Sequence, residues 1–113
     1  MADYGGYAGK ILRVDLSTEE LREESIEPYI SFLGGMGIGY RVMWNEVPSG
    51  TNPFAPENRL VIATGPLAGT GAPSSGRTNI TSLLPSNPFW GVADSHMGGY
   101  FSTELKYAGW DAI

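Results

Sequence analysis

The chain has 113 residues, with 12 acidic and seven basic side chains and a formal net charge of −5 at pH 7. This length suits one domain with a modest core. Nucleic acid is a poor candidate ligand, because that affinity comes largely from clustered cations that neutralise phosphates. No apolar run approaches the roughly 18 residues of a membrane span. No basic stretch precedes an apolar core as in an export signal, so we expect a cytoplasmic protein.

The sequence has no cysteine and 16 glycines. Without thiolates the chain can neither form a disulfide nor ligate an iron-sulfur cluster. The glycines cluster at 34–39, 65–76 and 98–99. Such clusters mark places where the backbone turns sharply or approaches another group closely.

The chain opens with a predicted hairpin. Residues 9–16 alternate in a way that predicts a strand with one strongly apolar face, formed by Leu12, Val14 and Leu16. A polar turn and a return over 21–26 predict an antiparallel partner, with a connecting loop of three to four residues. A helix over 18–24 is the alternative.

Two short helices and a strand are predicted next. Helical spacing from Pro28 ends at the glycine pair Gly34-Gly35. A second helix is predicted over 37–46, ended by Pro48. After a loop, the β-branched apolar run 60–64 predicts a buried strand.

The second half begins with the glycine- and proline-rich loop 65–76. Residues 78–83 favour a strand, which Pro85 to Pro88 punctuate before another loop. Helical spacing then predicts a helix over 99–108 that buries Phe101, Leu105 and Ala108. The tail 110–113 is typical of the start of a strand. This mixture of strands and short helices predicts an α+β fold.

The stretch 65–77 follows a predicted strand and offers backbone amides, hydroxyls and the guanidinium of Arg77. These are the groups that hold phosphate. The stretch lacks the lysine of a P-loop, and 34–39 lacks the dinucleotide-binding spacing of glycines. The alternative is a structural loop whose arginine makes a surface ion pair.

The chain's only histidine, His96, stands two residues after Asp94. This spacing suggests either a metal pair or acid–base chemistry, although two ligands do not complete a metal site. The alternative is that Asp94 or Ser95 caps a helix after residue 97. We expect the aromatic residues of this half to lie in the core rather than to form a stacking platform: Phe89, Trp90, Tyr100, Phe101, Tyr107 and Trp110.

Five blocks occur in order along the chain: G-x-I-L-R-V-D-L-S-T, F-L-G-G-M-G-I-G-Y, P-F-A-P-E-N-R-L-V-I-A-T-G-P-L-A-G-T-G-A-P, S-G-R-T-N-I-T-S and G-G-Y-F-S-T-E-L-K-Y-A-G-W-D-A-I. Together they resemble the amino-terminal domain of the aldehyde:ferredoxin oxidoreductase family, over essentially the whole chain. The segments Gly-Met-Gly-Ile-Gly-Tyr and Asp-Ser-His-Met-Gly-Gly are most similar to a less characterised bacterial branch.

The resemblance implies that residues 1–113 are an amino-terminal pterin-cofactor-binding domain with mixed β-sheets and short helices, either partial or a split subunit. The implied enzyme is a tungsten or molybdenum oxidoreductase acting on aldehyde-like substrates. In this family the dithiolene sulfurs of a bis-pterin hold the metal, so the chain needs no metal ligand of its own.

The resemblance also implies that a 4Fe-4S cluster is held by cysteines outside this chain. The implied partners are a cysteine-bearing large chain, or the remaining domains, and a ferredoxin-like electron acceptor. The chain is therefore not expected to be active alone. The alternative is a non-enzymatic assembly or binding small subunit of such a complex.

Four cofactor-binding residues follow from the resemblance. Arg77 matches the pterin-contacting arginine of the family's G-R-x-N block, with Asn79 beside it. His96 and Gly98 match a second contact stretch. The family often has asparagine at the histidine position, so His96 is a departure that adds a titratable charge. No catalytic residue is assigned within the chain.

Overall fold

The computed structural model describes residues 5–86 and 90–113. Within them lie a 3-10 helix over Glu27–Phe32 and seven regular elements: β1 (Lys10–Asp15), β2 (Glu20–Ser25), α1 (Met36–Glu46), β3 (Val61–Thr64), β4 (Thr78–Leu83), β5 (Val92–Met97) and α2 (Phe101–Tyr107). The predicted α+β class is confirmed. The predictions made for Pro88 and Phe89 lie outside the described residues. In the described part of the chain, no helix has the length and apolar character needed to cross a bilayer.

The amino-terminal hairpin is confirmed, and the alternative of a helix over 18–24 is wrong. Strands β1 and β2 pair antiparallel from Lys10↔Ser25 to Asp15↔Glu20. The apolar face of β1, formed by Leu12, Val14 and Leu16, would be expected to face the core. Instead the opposite face, which carries Ile11, packs against the core. Ile11 is 3% exposed, whereas Leu16 on the opposite face is 87% exposed.

Three further strands pair in the order β3-β4-β5, all antiparallel. Strand β5 was predicted as loop, and that prediction is wrong. Its residues Asp94, Ser95 and His96 have little intrinsic preference for strands. Pairing with β4 along its whole length, from Thr78↔Met97 to Leu83↔Val92, overrides that local preference.

Residues 111–113, here called the tail, join the two sheets, so the predicted terminal strand is confirmed. Ala112 pairs in parallel with Ile11 of β1 and antiparallel with Ala63 of β3. The amide of Leu12 donates to the carbonyl of Ala112 at 2.9 Å, and Ile62 and Ile113 exchange two bonds of 2.8 Å. The result is one continuous sheet in the order β2-β1-tail-β3-β4-β5.

A buried ion pair anchors the tail. The carboxylate of Asp111, which is 0% exposed, accepts hydrogen bonds from the amides of Ala8 at 2.8 Å and Gly9 at 2.7 Å. Lys106 of α2 donates to the same carboxylate at 2.6 Å and to the carbonyl of Gly6 at 3.1 Å. Three stretches of chain, namely the segment before β1, helix α2 and the tail, therefore meet at one charge.

Helix α1 covers the middle of the sheet and buries Ile38 and Val42. It lies close to β4 because position 39 is glycine: a Cβ there would lie 2.2 Å from Thr81 Oγ1. The core beneath α1 is mainly aliphatic, with Tyr29 as its aromatic member: Ile11, Ile26, Tyr29, Ile38, Val42, Val61, Ala63 and Ala112.

Two packing predictions are wrong for α2 and its neighbours. Of the three residues predicted to be buried by this helix, Leu105 is buried, whereas Phe101 and Ala108 are exposed and Ser102 is buried instead. Four of the aromatic residues predicted to be core are exposed, since aliphatic side chains already fill the space under α1: Trp90, Tyr100, Phe101 and Tyr107. Trp110 is half-buried, with Lys10 Nζ 4.5 Å from its ring centroid.

We predict that Asp111→Asn destabilises the fold by about 3 to 5 kcal/mol, because it leaves the buried ammonium of Lys106 uncompensated. Chemical denaturation measures this loss. The matched control is Glu23→Gln, which removes the partner of Lys10 in a pair whose side chains are 39% and 66% exposed. Such a surface pair contributes about 0 to 1 kcal/mol. Equal effects of the two substitutions would contradict the structural role of Asp111.

We also predict that Gly39→Ala costs about 1 to 3 kcal/mol, because the added methyl forces α1 away from β4. The comparison variant is Gly65→Ala, where a Cβ would meet nothing within 4 Å. Denaturation midpoints of the two variants should differ clearly. A wild-type midpoint for Gly39→Ala would show that the helix shifts without cost.

Candidate functional site

The structure brings the four residues predicted to bind cofactor to one end of the β4–β5 pair. Asn79 and His96 are direct partners across the two strands. Arg77 immediately precedes β4, and Gly98 immediately follows β5. Two blocks that are about 20 residues apart in sequence thus form one surface, as expected for antiparallel neighbours.

The loop 65–76 leads into the same end of the sheet. A Cβ on Gly76 would lie 3.1 Å from the carbonyl oxygen of Gly99, so this loop runs against the turn after β5. Thr70 and Ser75 close small turns through bonds to the carbonyls of Leu67 and Ala72. Several amides of the loop donate to no atom of the described residues: those of Gly69, Gly71, Ser74, Ser75 and Gly76.

The side chain of Arg77 is exposed. Residues 5–86 and 90–113 provide it with no hydrogen bond and no ion pair, so the alternative of a surface ion pair is not observed within them. The guanidinium therefore offers its fork of donors to solvent. A cation presented in this way next to unpaired amides is suited to bind an anion.

Behind Arg77 lies a polar network centred on Asp94. This carboxylate accepts hydrogen bonds from Tyr40 at 2.9 Å and from Asn79 at 3.0 Å, and lies 3.0 Å from Nε2 of His96. The alternative that Asp94 or Ser95 caps a helix is wrong: both lie within β5, and the N-cap of α2 is Tyr100, without a side-chain bond.

Asn79 and His96 differ in accessibility. Asn79 is only 2% exposed, with its oxygen accepting from Thr81 Oγ1 at 2.6 Å and its amide donating to Asp94. The side chain of His96 is 49% exposed. His96 is thus the member of this pair that solvent or a ligand can reach, and Asn79 orients the groups around it.

Sequence reasoning did not identify Tyr40 as part of this site. It belongs to α1, and it follows Gly39, the residue whose lack of a side chain brings the helix onto β4. The hydrogen bond that Tyr40 donates to Asp94 raises the pKa of its phenol above the ordinary 10.0, with a further contribution from burial. The block F-L-G-G-M-G-I-G-Y contained the residue, but its spacing indicated only a helix.

The described residues hold no group of three or more His, Asp or Glu side chains that could bind a metal. The Asp94 carboxylate and Nε2 of His96 lie 3.0 Å apart, next to the hydrogen bonds that Asn79 and Tyr40 donate to Asp94. The site therefore combines an exposed cation, unpaired amides and one accessible imidazole. These groups are donors suited to an anionic ligand.

Comparison with known proteins places this α+β chain in a family. Residues 11–113 match the family model described as "Aldehyde ferredoxin oxidoreductase, N-terminal domain". The chain therefore belongs to the aldehyde ferredoxin oxidoreductase family, as its N-terminal domain. The family resemblance predicted from the five sequence blocks is confirmed.

The relatives are much longer than this chain. It is 46% identical over 110 residues to the tungsten-containing aldehyde ferredoxin oxidoreductase of Pyrococcus horikoshii. This match covers 96% of this chain and 18% of that protein. The enzyme of the same name from Thermococcus kodakarensis is 43% identical over 112 residues, covering 97% of this chain and 18% of the relative. The chain thus spans under a fifth of the length of these relatives.

Relatives with other names share the same domain. The "Aliphatic sulfonate oxidoreductase, WOR-like subunit" of Pyrococcus furiosus is 37% identical, covering 95% of this chain and 17% of that protein. The solved active site complex BamBC of benzoyl coenzyme A reductase, with 1,5 dienoyl-CoA, superposes with a TM-score of 0.88 at 37% identity. That match covers 96% of this chain and 16% of the solved chain.

We predict that Asp94→Asn lowers the pKa of Tyr40 towards its ordinary value, because the charged acceptor of the phenol is removed. Because the pKa of Tyr40 is raised in the folded state, the hydrogen bond stabilises the fold fully below pH 10.0. This stabilisation is lost as the pH rises through the folded-state pKa of Tyr40. Titration of ¹³Cζ-labelled tyrosine by NMR measures the shift, and Tyr40→Phe assigns the signal. Glu23→Gln, which removes a carboxylate from β2, serves as the control. An unchanged Tyr40 titration in Asp94→Asn would show that Asp94 does not hold the phenol.

Proposed function

We propose that this chain forms the base on which a tungsten- or molybdenum-bis(pterin) cofactor lies in an oxidoreductase of the aldehyde ferredoxin oxidoreductase family. Arg77 and the amides of loop 65–76 bind the anionic part of the cofactor. The observation that carries the proposal is the exposed guanidinium of Arg77, which no described residue neutralises.

The donor set fits such a group. Charge-assisted bonds from a guanidinium to phosphate oxygens are roughly twice as strong as neutral ones, and the planar fork can make two in parallel. Amides in glycine-rich turns add donors without adding bulk. The chain has no thiolate. The metal therefore depends on sulfur from the pterins, as the family resemblance implies.

The remaining predicted residues divide between contact and positioning. His96, half-exposed, and the backbone at Gly98 contact the pterin at the end of β5. Asn79 is buried, so it acts through Asp94 and Thr81, whose side chains it holds in place. An imidazole can donate to a ring or phosphate oxygen much as an asparagine amide does. His96 thus preserves the hydrogen bond while changing the charge.

When bound, the cofactor supplies two-electron redox chemistry, which none of the described side chains provides. We propose an aldehyde-like substrate and electron transfer through a 4Fe-4S cluster to a ferredoxin-like acceptor, with the cluster cysteines on a cysteine-bearing large chain or further domains. The relatives' names differ in substrate while sharing this domain, namely aldehyde, aliphatic sulfonate and benzoyl coenzyme A. We therefore propose that residues outside the shared domain contribute to substrate choice.

A second candidate is a non-enzymatic assembly or binding subunit of such a complex. The exposed apolar residues Leu16 and Leu21, at 87% and 66%, favour association with further protein. The two functions separate experimentally, because assembly depends on apolar surface and cofactor binding depends on Arg77.

We predict that Arg77→Lys and Arg77→Ala lower the pterin and metal content of the assembled enzyme, with a larger loss for alanine. Lysine keeps the charge but loses the planar, two-pronged geometry. Metal analysis and pterin fluorescence per assembled complex provide the measurement. Arg22→Ala, which removes an exposed arginine from β2, is the control and should leave both contents unchanged.

Folding and assembly are expected to survive each of these substitutions, since Arg77 makes no hydrogen bond or ion pair with a described residue. Full cofactor content in Arg77→Ala would refute the cofactor role. If assembly also proceeded normally in that case, the binding-subunit function would be the better account.

A further inference from the structure

A groove of about 710 Å³ opens where the tail ends, between β1 and β3. Its two walls are formed by Leu12 and Val14 of β1 and by Leu60 and Ile62 next to and within β3. Ile38 and Val42 of α1 form its floor. The groove begins at Ala112 and Ile113, and neither Asp111 nor Lys106 lines it. None of the four residues predicted to bind cofactor lines it either.

The width of the groove is set by the tail. Ala112 pairs with Ile11 on one side and with Ala63 on the other, so β1 and β3 are separated by two interstrand spacings. At about 4.8 Å per spacing, one further extended strand fits between them. Three residues of β1, Arg13 to Asp15, continue beyond Leu12, which bonds the tail. The groove is therefore roughly 10 Å long at about 3.3 Å per residue.

The backbone of β1 is arranged to bond such a strand. Gly9 accepts from Ile26 on the β2 side, whereas Leu12 donates to Ala112 on the tail side. Because successive residues of a strand direct their amides and carbonyls to alternate sides, the amide of Val14 faces the groove. On the other wall, Ile62 bonds Ile113, so the backbone of Leu60 also faces the groove.

We propose that the groove binds one extended β-strand, parallel to β1 and antiparallel to β3, formed by the polypeptide that follows the position of Ile113 in proteins as long as the relatives. The relatives, of which this chain covers under a fifth, contain ample further chain. Because the occupant follows the tail directly, its pairing register with β1 and β3 is fixed by the pairs of Ala112 with Ile11 and Ala63.

The register specifies the chemistry of the occupant. Counting on from the Ala112 pairs, its first residue lies between Arg13 and Val61, above the apolar floor of α1. Its second residue lies between Val14 and Leu60, on the face of the sheet opposite α1. These two side chains are 43% and 63% exposed, and the second residue of the occupant would bury part of their surface. The first two residues are therefore apolar.

The third residue of the occupant is polar. It lies between Asp15 and Arg59, next to the ion pairs of Glu46 with Arg13 at 2.8 Å and with Arg59 at 3.6 Å. The wall at Arg59 is firmly held, because Ser82 donates to the Arg59 carbonyl at 2.7 Å and Asn58 donates to Ser82 at 3.1 Å.

The test adds a short extension after Ile113 and follows the amide of Val14. Val-Val-Thr matches the predicted pattern, whereas Asp-Asp-Thr has the same backbone donors but places charges over the apolar floor; both are followed by Gly-Ser. Hydrogen exchange measured by NMR should slow at least tenfold at Val14 with Val-Val-Thr and remain unchanged with Asp-Asp-Thr. The denaturation midpoint should rise for Val-Val-Thr alone.

A variant of the groove gives an independent check. Leu60→Asp alters an exposed side chain, so folding should survive, and it should remove the protection that Val-Val-Thr provides. Equal protection by both extensions, or none by Val-Val-Thr, would overturn the proposal. Protection of Val14 in the unextended chain that grows with protein concentration would assign the groove to a second copy instead. These readouts do not involve the cofactor, so they are independent of the proposed function.

Discussion

The fold depends on one buried carboxylate. Asp111 is inaccessible to water, and its charge is stabilised by Lys106 and by the amides of Ala8 and Gly9. The free-energy cost of removing an ion pair from water is about as large as the attraction between its charges. This pair therefore adds little net stability, and its main effect is to fix the positions of the segments that carry it. An unpaired charge there would be strongly unfavourable. The requirement for all three partners therefore fixes the segment before β1, helix α2 and the tail relative to one another.

That constraint extends to the end of the β4–β5 pair where Arg77 and His96 lie. Once the tail is fixed, it aligns the hairpin with β3, and α1 can pack across both halves of the sheet. Gly39 then determines how close α1 comes to β4, and the hydroxyl of Tyr40 reaches Asp94 as a result. Asp94 in turn holds His96. The accessible imidazole is thus positioned by a chain of contacts that begins in the core.

Much of this fold was predictable from periodicity and turn residues. The hairpin, α1, β3 and β4 follow from local pattern, because each shows its own alternation or helical spacing. Strand β5 does not, since Asp94, Ser95 and His96 are poor strand formers that pair only because β4 lies beside them. Similarly, the single Asp111 in an apolar tail has no local signature of a buried ion pair. Of the candidate site, Arg77 and His96 were predicted from the resemblance, whereas Tyr40 is brought there by tertiary packing.

The geometry separates residues that can touch a ligand from those that hold them. Arg77 and His96 are accessible, whereas Asn79 is buried, Asp94 is partly buried, and the two side chains are hydrogen-bonded to each other. Buried polar groups of this kind are costly when one partner is lost, because the others remain without water. Their substitution therefore disturbs several groups together, whereas Arg77, which makes no hydrogen bond or ion pair with a described residue, can change alone. A surface built in this way can vary its accessible residues while the network behind them keeps one geometry.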